Sequence, residues 1–342
     1  MTGPVSHMRR EIVEIPEAVA RLLESDADIA AVASRLRQIS PRFLTTVARG
    51  SSDHAASFLK YAVELTIGLP VASLGPSIAS IYGAQLKLQD SACLTISQSG
   101  QSPDIVAMAA SARTGGALTI ALTNTAGSPL AEASDCAIDI MAGAEKSVAA
   151  TKSFVNSAIA GLSLLAHWTG DEALSAALSR LPEQLRRAIG CNWMEIGRAL
   201  PGEGSLFILG RGPAIAIAAE AALKFKEVCG MHAEAYSAAE VMHGPLALVG
   251  PGFPVLALAA RDASEVSVAE AADLLSAKQA AVFVTSSLSH KAARLPHVDT
   301  GHPLTDPLAL IVSFYAFVEA FARHRGLDPD RPPNLRKVTE TR

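Results

Sequence analysis

Three proton-handling side chains crowd one stretch of this 342-residue chain. From Glu220 to Leu248 the sequence reads EAALKFKEVCGMHAEAYSAAEVMHGPLAL, and it holds Lys224, Glu227 and His243. Lys224 and Glu227 stand three positions apart among strong helix formers, so a helix sets them on one face. A cation beside a carboxylate adjusts the pKa of both. His243 follows a second helix-like run, AEAYSAAEVM, and precedes Gly244-Pro245, which stops helices. That pattern predicts a histidine at a helix end, within reach of a cleft. The same residues also fit a solvated Lys–Glu pair and a capping histidine, and spacing alone does not separate the two.

A second stretch suits an anion. SQSGQSPD, residues 97–104, follows the apolar run CLTI and precedes a helical pattern. Ser102 fits an N-cap and Pro103 fits the first helical position. Small residues let backbone approach a ligand. The N–H groups of a helix start, with the hydroxyls of Ser97, Ser99 and Ser102 and the Gln98 amide, form a cradle for phosphate. The chain has neither GxxxxGK[ST] nor GxGxxG, so a sugar phosphate fits better than a nucleotide. Ser51 and Ser52 also end an apolar run, and ligands gather at the carboxyl ends of parallel strands. An ordinary capped loop is the alternative reading of both serine clusters.

The elements that must carry these loops alternate. Short apolar runs at 43–48, PVASL, CLTI, LTIALT and CAIDIM are separated by helical runs, the pattern of a parallel α/β sheet with helices on both faces. After a charged helical stretch the pattern restarts: LFILGRG repeats the device of TVARGSS, VLALAARDAS echoes CLTISQSGQS, and AAVFVTSS echoes LTIALTNT. The repeat period is about 160 residues, so the chain reads as a duplicated α/β unit. The copies differ where chemistry belongs. The first has the hydroxyl-rich loop; the second has Arg261-Asp262 there and the Lys–Glu–His stretch. The expected organisation is an N-terminal helical cap (1–40), a first α/β domain (41–170), a helical linker (171–200), a second α/β domain (201–325) and a polar, Pro-rich tail (326–342) with Lys337.

Composition narrows the function classes. Net charge is −4 and 49% of residues are apolar, with no basic block, which argues against nucleic-acid binding. The four cysteines have no metal-type spacing; Cys93 and Cys136 lie in apolar runs and read as buried thiols in a reducing cytosol. No signal-peptide core and no membrane-spanning run is seen, so a cytoplasmic protein is expected.

The motifs ARGSSDHA, ISQSGQSPDI, AGAEKSVAATKSF, LGRG, the Glu220–Leu248 stretch and NLRKVTET together resemble the sugar isomerase (SIS) fold. They are most similar to the tandem-SIS isomerase half of glucosamine-6-phosphate synthase and to the stand-alone SIS-type glucosamine-6-phosphate deaminases. The first α/β unit starts within the first 45 residues and no cysteine precedes Cys93, so no glutaminase half is expected. The resemblance implies that Ser51, Ser52, Ser97, Gln98, Ser99 and Ser102 hold the phosphate. Ala150 stands where the synthase loops carry a serine facing the sugar. Glu227 would move a proton between C1 and C2, His243 would open the sugar ring, and Lys224 would assist by stabilising enol charge or keeping Glu227 ionised. Lys337 matches the tail lysine with which the synthase forms an imine; in a deaminase it serves as a lid residue or binds the ketose. The resemblance further implies a homodimer whose sites are shared between subunits, and no metal or organic cofactor is required.

The expected reaction is glucosamine 6-phosphate and water giving fructose 6-phosphate and ammonia. Alternatives are an ammonia-dependent synthase, an aldose–ketose isomerase, a galactosamine-6-phosphate deaminase and a sugar-phosphate sensor without turnover. Glu145 and Lys152 could also touch substrate, and His54 could line the cleft or start a helix. His232 and Glu234 read as structural, His167-Trp168 as helix packing, and His290, His297, His302 and His324 as surface residues.

Overall fold

The computed structural model describes residues 5–200 and 204–337. The chain divides into two compact units. One comprises Glu17–Glu145, Lys152–Ser179 and Arg336–Arg342; the other comprises Met1–Pro16, Lys146–Thr151 and Arg180–Leu335. The loop 146–151, and Arg336 and Lys337 near the end of the chain, thus belong to the unit built mainly from the other half of the sequence.

Three helices open the chain: α1 (His7–Val13), α2 (Ile15–Glu24) and α3 (Ala27–Ile39). The first unit then runs β1 (Phe43–Val47), α4 (Ser51–Ile67), β2 (Val71–Ser73), α5 (Ser77–Ser80), β3 (Ser91–Ile96), α6 (Pro103–Thr114), β4 (Leu118–Thr123), α7 (Pro129–Ala133), β5 (Cys136–Asp139) and α8 (Lys152–Thr169). Its five strands are all parallel, in the order β2-β1-β3-β4-β5. Every residue of β3 and β4 is buried, as central parallel strands with helices on both faces require.

After α9 (Glu172–Ile189) and α10 (Ile196–Ala199) come β6 (Ser205–Gly210), α11 (Ala214–Cys229), β7 (His232–Ser237), β8 (Pro254–Ala257), α12 (Glu265–Ala277), β9 (Ala281–Val284), β10 (Ala293–Arg294) and α13 (Asp306–His324). The second sheet is ordered β10-β9-β8-β6-β7 and is also parallel throughout. Read from β7, that order is the same as in the first sheet, so the duplication read from the sequence is a duplication of topology. Helix α13 is buried along nearly its whole length, where Phe314 and Phe317 pack edge-to-face on Phe225 of α11.

Several local expectations are corrected. AEAYS does not form a helix: it is strand β7, paired along its full length with β6. Alanine and glutamate favour helix only weakly against a complete ladder of sheet hydrogen bonds with Ala233 in the core. A short helix, α7, was absent from the sequence reading; Pro129 after the capping Ser128 starts it. Cys136 is only half-buried and its Sγ lies 2.8 Å from Arg35 Nη1. Burial pushes the Cys93 thiol up to about 11. His297 and His302 are half-buried rather than on the surface.

Candidate functional site

Neighbouring parallel strands β1 and β3 end at the two serine loops. Ser51 and Ser52 form the first turn of α4, a 17-residue helix, and Ser102 occupies the N-cap of α6 with Pro103 behind it. The Ser102 hydroxyl makes no capping bond to its helix. Two helix N-termini with hydroxyls at their mouths therefore face the same carboxyl edge of one sheet, an arrangement that attracts anions. Arg49 braces the two loops: its Nε and Nη2 each lie 2.8 Å from Oδ2 of the buried Asp104. The 97–102 turn needs Gly100, whose φ is +63°; a Cβ there would lie 2.2 Å from Ser128 Oγ. Ser97 is buried and its hydroxyl accepts from Gly100 N at 3.2 Å, whereas Gln98 and Ser99 remain half-exposed.

The equivalent loop of the second unit is filled by its own side chains. Arg261 Nη2 donates to Thr285 O at 2.6 Å, and its Nε lies 3.4 Å from Glu265 Oε1. Asp262 accepts from both Ser264 N and Ser264 Oγ. The loop of one copy is lined by hydroxyls, whereas that of the other carries charge pairs.

Helix α11 carries the charged group of the second unit. Lys224 and Glu227 are paired, as the i,i+3 spacing predicts. One turn earlier, Glu220 Oε1 lies 3.3 Å from Lys224 Nζ, and Tyr315 Oη of α13 donates to the same oxygen at 2.9 Å. Glu220 and Lys224 have no exposed side-chain surface, whereas Glu227 keeps 19% of its own. Burial acts to lower the Lys224 pKa, but the carboxylates of Glu220 and Glu227 outweigh it and hold the ammonium above its ordinary range. The group therefore presents one carboxylate outward, backed by an enclosed lysine. The Lys224 ammonium is held between the two carboxylates.

His243 lies beyond the short 3-10 turn Glu240–Met242, not at the end of an α-helix. Its N–H donates to Glu240 O at 2.9 Å, and its side chain is exposed on a turn that continues through Gly244 (φ +137°) to the exposed Leu248.

In the first unit, Lys337 Nζ donates to Glu145 Oε2 at 2.9 Å. Glu145 also accepts from Ser153 N at 3.0 Å and from Ser153 Oγ at 2.7 Å. Burial raises the Glu145 pKa, but Lys337 and Ser153 outweigh it and keep the carboxyl below its ordinary range. Lys152 is buried and donates from Nζ to Ala144 O at 3.0 Å, so it shapes the loop from within. Ala150 is half-buried in that loop, which belongs to the second unit with Lys224, Glu227 and His243. Ser51, Ser52, Ser97, Gln98, Ser99, Ser102 and Lys337 belong to the first.

Residues 40–167 and 200–322 each match the SIS domain. The chain belongs to the SIS family. A SIS protein from Silicibacter pomeroyi DSS-3, described as a phosphosugar isomerase, shares 59% identity, with a TM-score of 0.93 over 95% of this chain and 100% of that one. The C-terminal domain of glucosamine-fructose-6-phosphate aminotransferase from Francisella tularensis is 25% identical, with a TM-score of 0.85 over 96% of this chain and 99% of that one. Glutamine–fructose-6-phosphate aminotransferase (isomerizing) from Symbiobacterium thermophilum is 33% identical over 98% of this chain and 59% of its own length. The chain thus spans little more than half of the curated relatives it matches. A glucosamine-6-phosphate deaminase from Thermotoga maritima shares the fold, at 20% identity and a TM-score of 0.78 over 98% of this chain and 100% of that one.

For this SIS protein the sequence reading missed Glu220, Tyr315, Arg49 and Asp104. Glu220 carried a signal, because a carboxylate one turn before Lys224 completes an i,i+4 pair. Arg49 and Asp104 stand beside the serine motifs, but nothing local says that they meet. Among the described residues no cluster of three or more His, Cys, Asp or Glu is arranged to hold a metal, and no helix is long and apolar enough to cross a membrane.

Proposed function

We propose that this SIS protein converts glucosamine 6-phosphate and water to fructose 6-phosphate and ammonia. The phosphate rests on the hydroxyls of Ser51, Ser52, Ser97, Ser99 and Ser102, the Gln98 amide and the two helix starts. His243 passes a proton from the anomeric hydroxyl to the ring oxygen, which opens the pyranose. Glu227 takes the C2 proton, giving an enolamine, and returns a proton at C1. Water adds to the resulting C2 ketimine, and ammonia leaves to give the ketose. A positioned acid–base group of this kind contributes ~10²–10⁴ in rate.

The observation that carries this reading is the enclosed Glu220–Lys224–Glu227 group with only Glu227 reaching outward. A proton shuttle needs a carboxylate that reaches the substrate from a fixed position, and Lys224 holds Glu227 from its enclosed side. The relatives named for fructose-6-phosphate amination and the deaminase of the same fold support an amino-sugar phosphate as substrate. We assign the site to a homodimer in which the exposed His243 of one copy completes the site of the other, with Lys337 closing over the sugar from the tail. Neither a metal nor an organic cofactor enters these steps.

A plain aldose–ketose isomerase is the second reading, favoured by the relative with 59% identity described as a phosphosugar isomerase. The test incubates purified protein with glucosamine 6-phosphate or galactosamine 6-phosphate and measures ammonia and ketose phosphate together. Equal amounts of ammonia and fructose 6-phosphate from the glucosamine compound are expected, with turnover lost in Glu227→Gln. Turnover of only the galactosamine compound reassigns the epimer. Absence of ammonia from both sugars overturns the deaminase, and exchange of the C1 proton of fructose 6-phosphate would then identify an isomerase.

A further inference from the structure

Helix α1 lies outside both SIS matches, yet its contacts go to two segments that lead directly to proposed site residues. Glu11 is buried, with only 4% of its surface exposed. Its carboxylate accepts the backbone N–H of Lys146 and, at 3.3 Å from each oxygen, that of Ser147. These are the residues after Glu145 and at the head of the loop that carries Ala150. Residues 141–151 contain neither helix nor strand, so this loop has no ladder of its own to fix its backbone. An enclosed carboxylate with two backbone donors gives the segment one strongly preferred position.

The other end of α1 holds the base of the tail. Asp330 Oδ2 accepts from His7 N at 2.7 Å and Asp330 Oδ1 from Met8 N at 2.8 Å. Lys337 follows seven residues later, across the polar stretch RPPNLR. Helix α1 is itself anchored: Met8 and Ile12 are fully buried, and Ser6 Oγ donates to Glu319 Oε1 of α13 at 2.6 Å.

We propose that α1 is a bracket that sets the sugar-side loop through Glu11 and the lysine-bearing tail through Asp330. Glu11 and Asp330 are then positioning residues, acting through Glu145, Ala150 and Lys337. The catalytic consequence rests on the deaminase reading; the positioning itself does not.

The experiment uses full-length Glu11→Ala and Asp330→Ala, with Glu11→Gln in place of the first if it fails to fold. Hydrogen exchange is followed in peptides covering 141–151, and trypsin cleavage is timed after Arg336 and Lys337. Exchange in that segment is expected to rise only in the Glu11 variant, and tail cleavage to quicken about tenfold only in the Asp330 variant. Both variants are expected to lose about 10- to 100-fold in kcat on glucosamine 6-phosphate, with KM changed less than about twofold, because misplacement harms chemistry more than phosphate anchoring. Glu11→Gln keeps one acceptor oxygen and gives the same shifts at smaller size. Wild-type exchange and cleavage in both variants overturn the bracket, as does a rise spread evenly over the chain. Local loosening with unchanged kcat overturns the positioning role. If the wild-type protein does not turn over the sugar, the deaminase reading fails, while exchange and cleavage still decide the bracket.

Discussion

Lys337 and Glu145 are 192 residues apart in sequence and 2.9 Å apart in space. The carboxylate has no exposed side-chain surface, while the lysine keeps 25% of its own. Such a pair is asymmetric: removing the lysine strands a buried charge, whereas removing the carboxylate frees a partly solvated one. Because the folded-state pKa of Glu145 is depressed, its stabilisation is complete above the unfolded value of 4.5 and fades as pH falls through the folded value. Lys337→Ala removes the main opposing charge, so burial is left to raise that pKa, and the variant is penalised by its stranded carboxylate at neutral pH and relieved of it as acid protonates the group. Thermal melts of both proteins across the acid range are expected to differ most near neutrality and to converge at low pH. A constant gap would contradict the pairing.

Lys224 is the reverse case. Its folded-state pKa lies above the ordinary 10.5, so its contribution is full below that value and fades only as pH rises through the folded one. Lys224→Met leaves Glu220 and Glu227 without their shared cation, at a cost of about 3–5 kcal/mol. Urea unfolding at neutral pH should read that loss, and the gap to wild type should shrink only under strongly alkaline conditions.

Tyr315→Phe removes one buried donor from Glu220 and leaves the ring packing against Phe314 in place. The expected loss is about 1–3 kcal/mol, with a smaller fall in kcat than for Glu227→Gln. The measurement is urea unfolding alongside steady-state kinetics; equal stability of the variant would mean that Glu220 finds another donor.

Gly100→Ala tests the anion cradle. A left-handed backbone at a non-glycine residue costs about 1–3 kcal/mol, and here the added Cβ also meets Ser128. The serine loop must shift, so KM for the sugar phosphate is expected to rise about tenfold or more while kcat at saturation changes less. A kcat defect with unchanged KM would place the phosphate elsewhere.

What was legible in the sequence was periodic or local. Two rounds of alternating apolar runs and helical runs sufficed for two parallel sheets, because such strands are buried on both faces and show as unbroken apolar segments. Ser102-Pro103 announced the start of α6 and the Lys224–Glu227 spacing announced their pairing, since both depend on neighbours within one turn.

Tertiary structure decided the rest. AEAYS became β7 because β6 offered a complete edge to pair with, a fact no window around those residues contains. Glu220 met Tyr315, Glu11 met Lys146 and Ser147, and Glu145 met Lys337 across separations of 95 to 192 residues. Each is a charge or hydroxyl withdrawn from water, and such a group must find a partner wherever the packed chain supplies one. The sequence determined which residues could do proton chemistry and hold an anion; only the packing determined which carboxylate faces outward, which lysine is enclosed behind it, and what holds the tail.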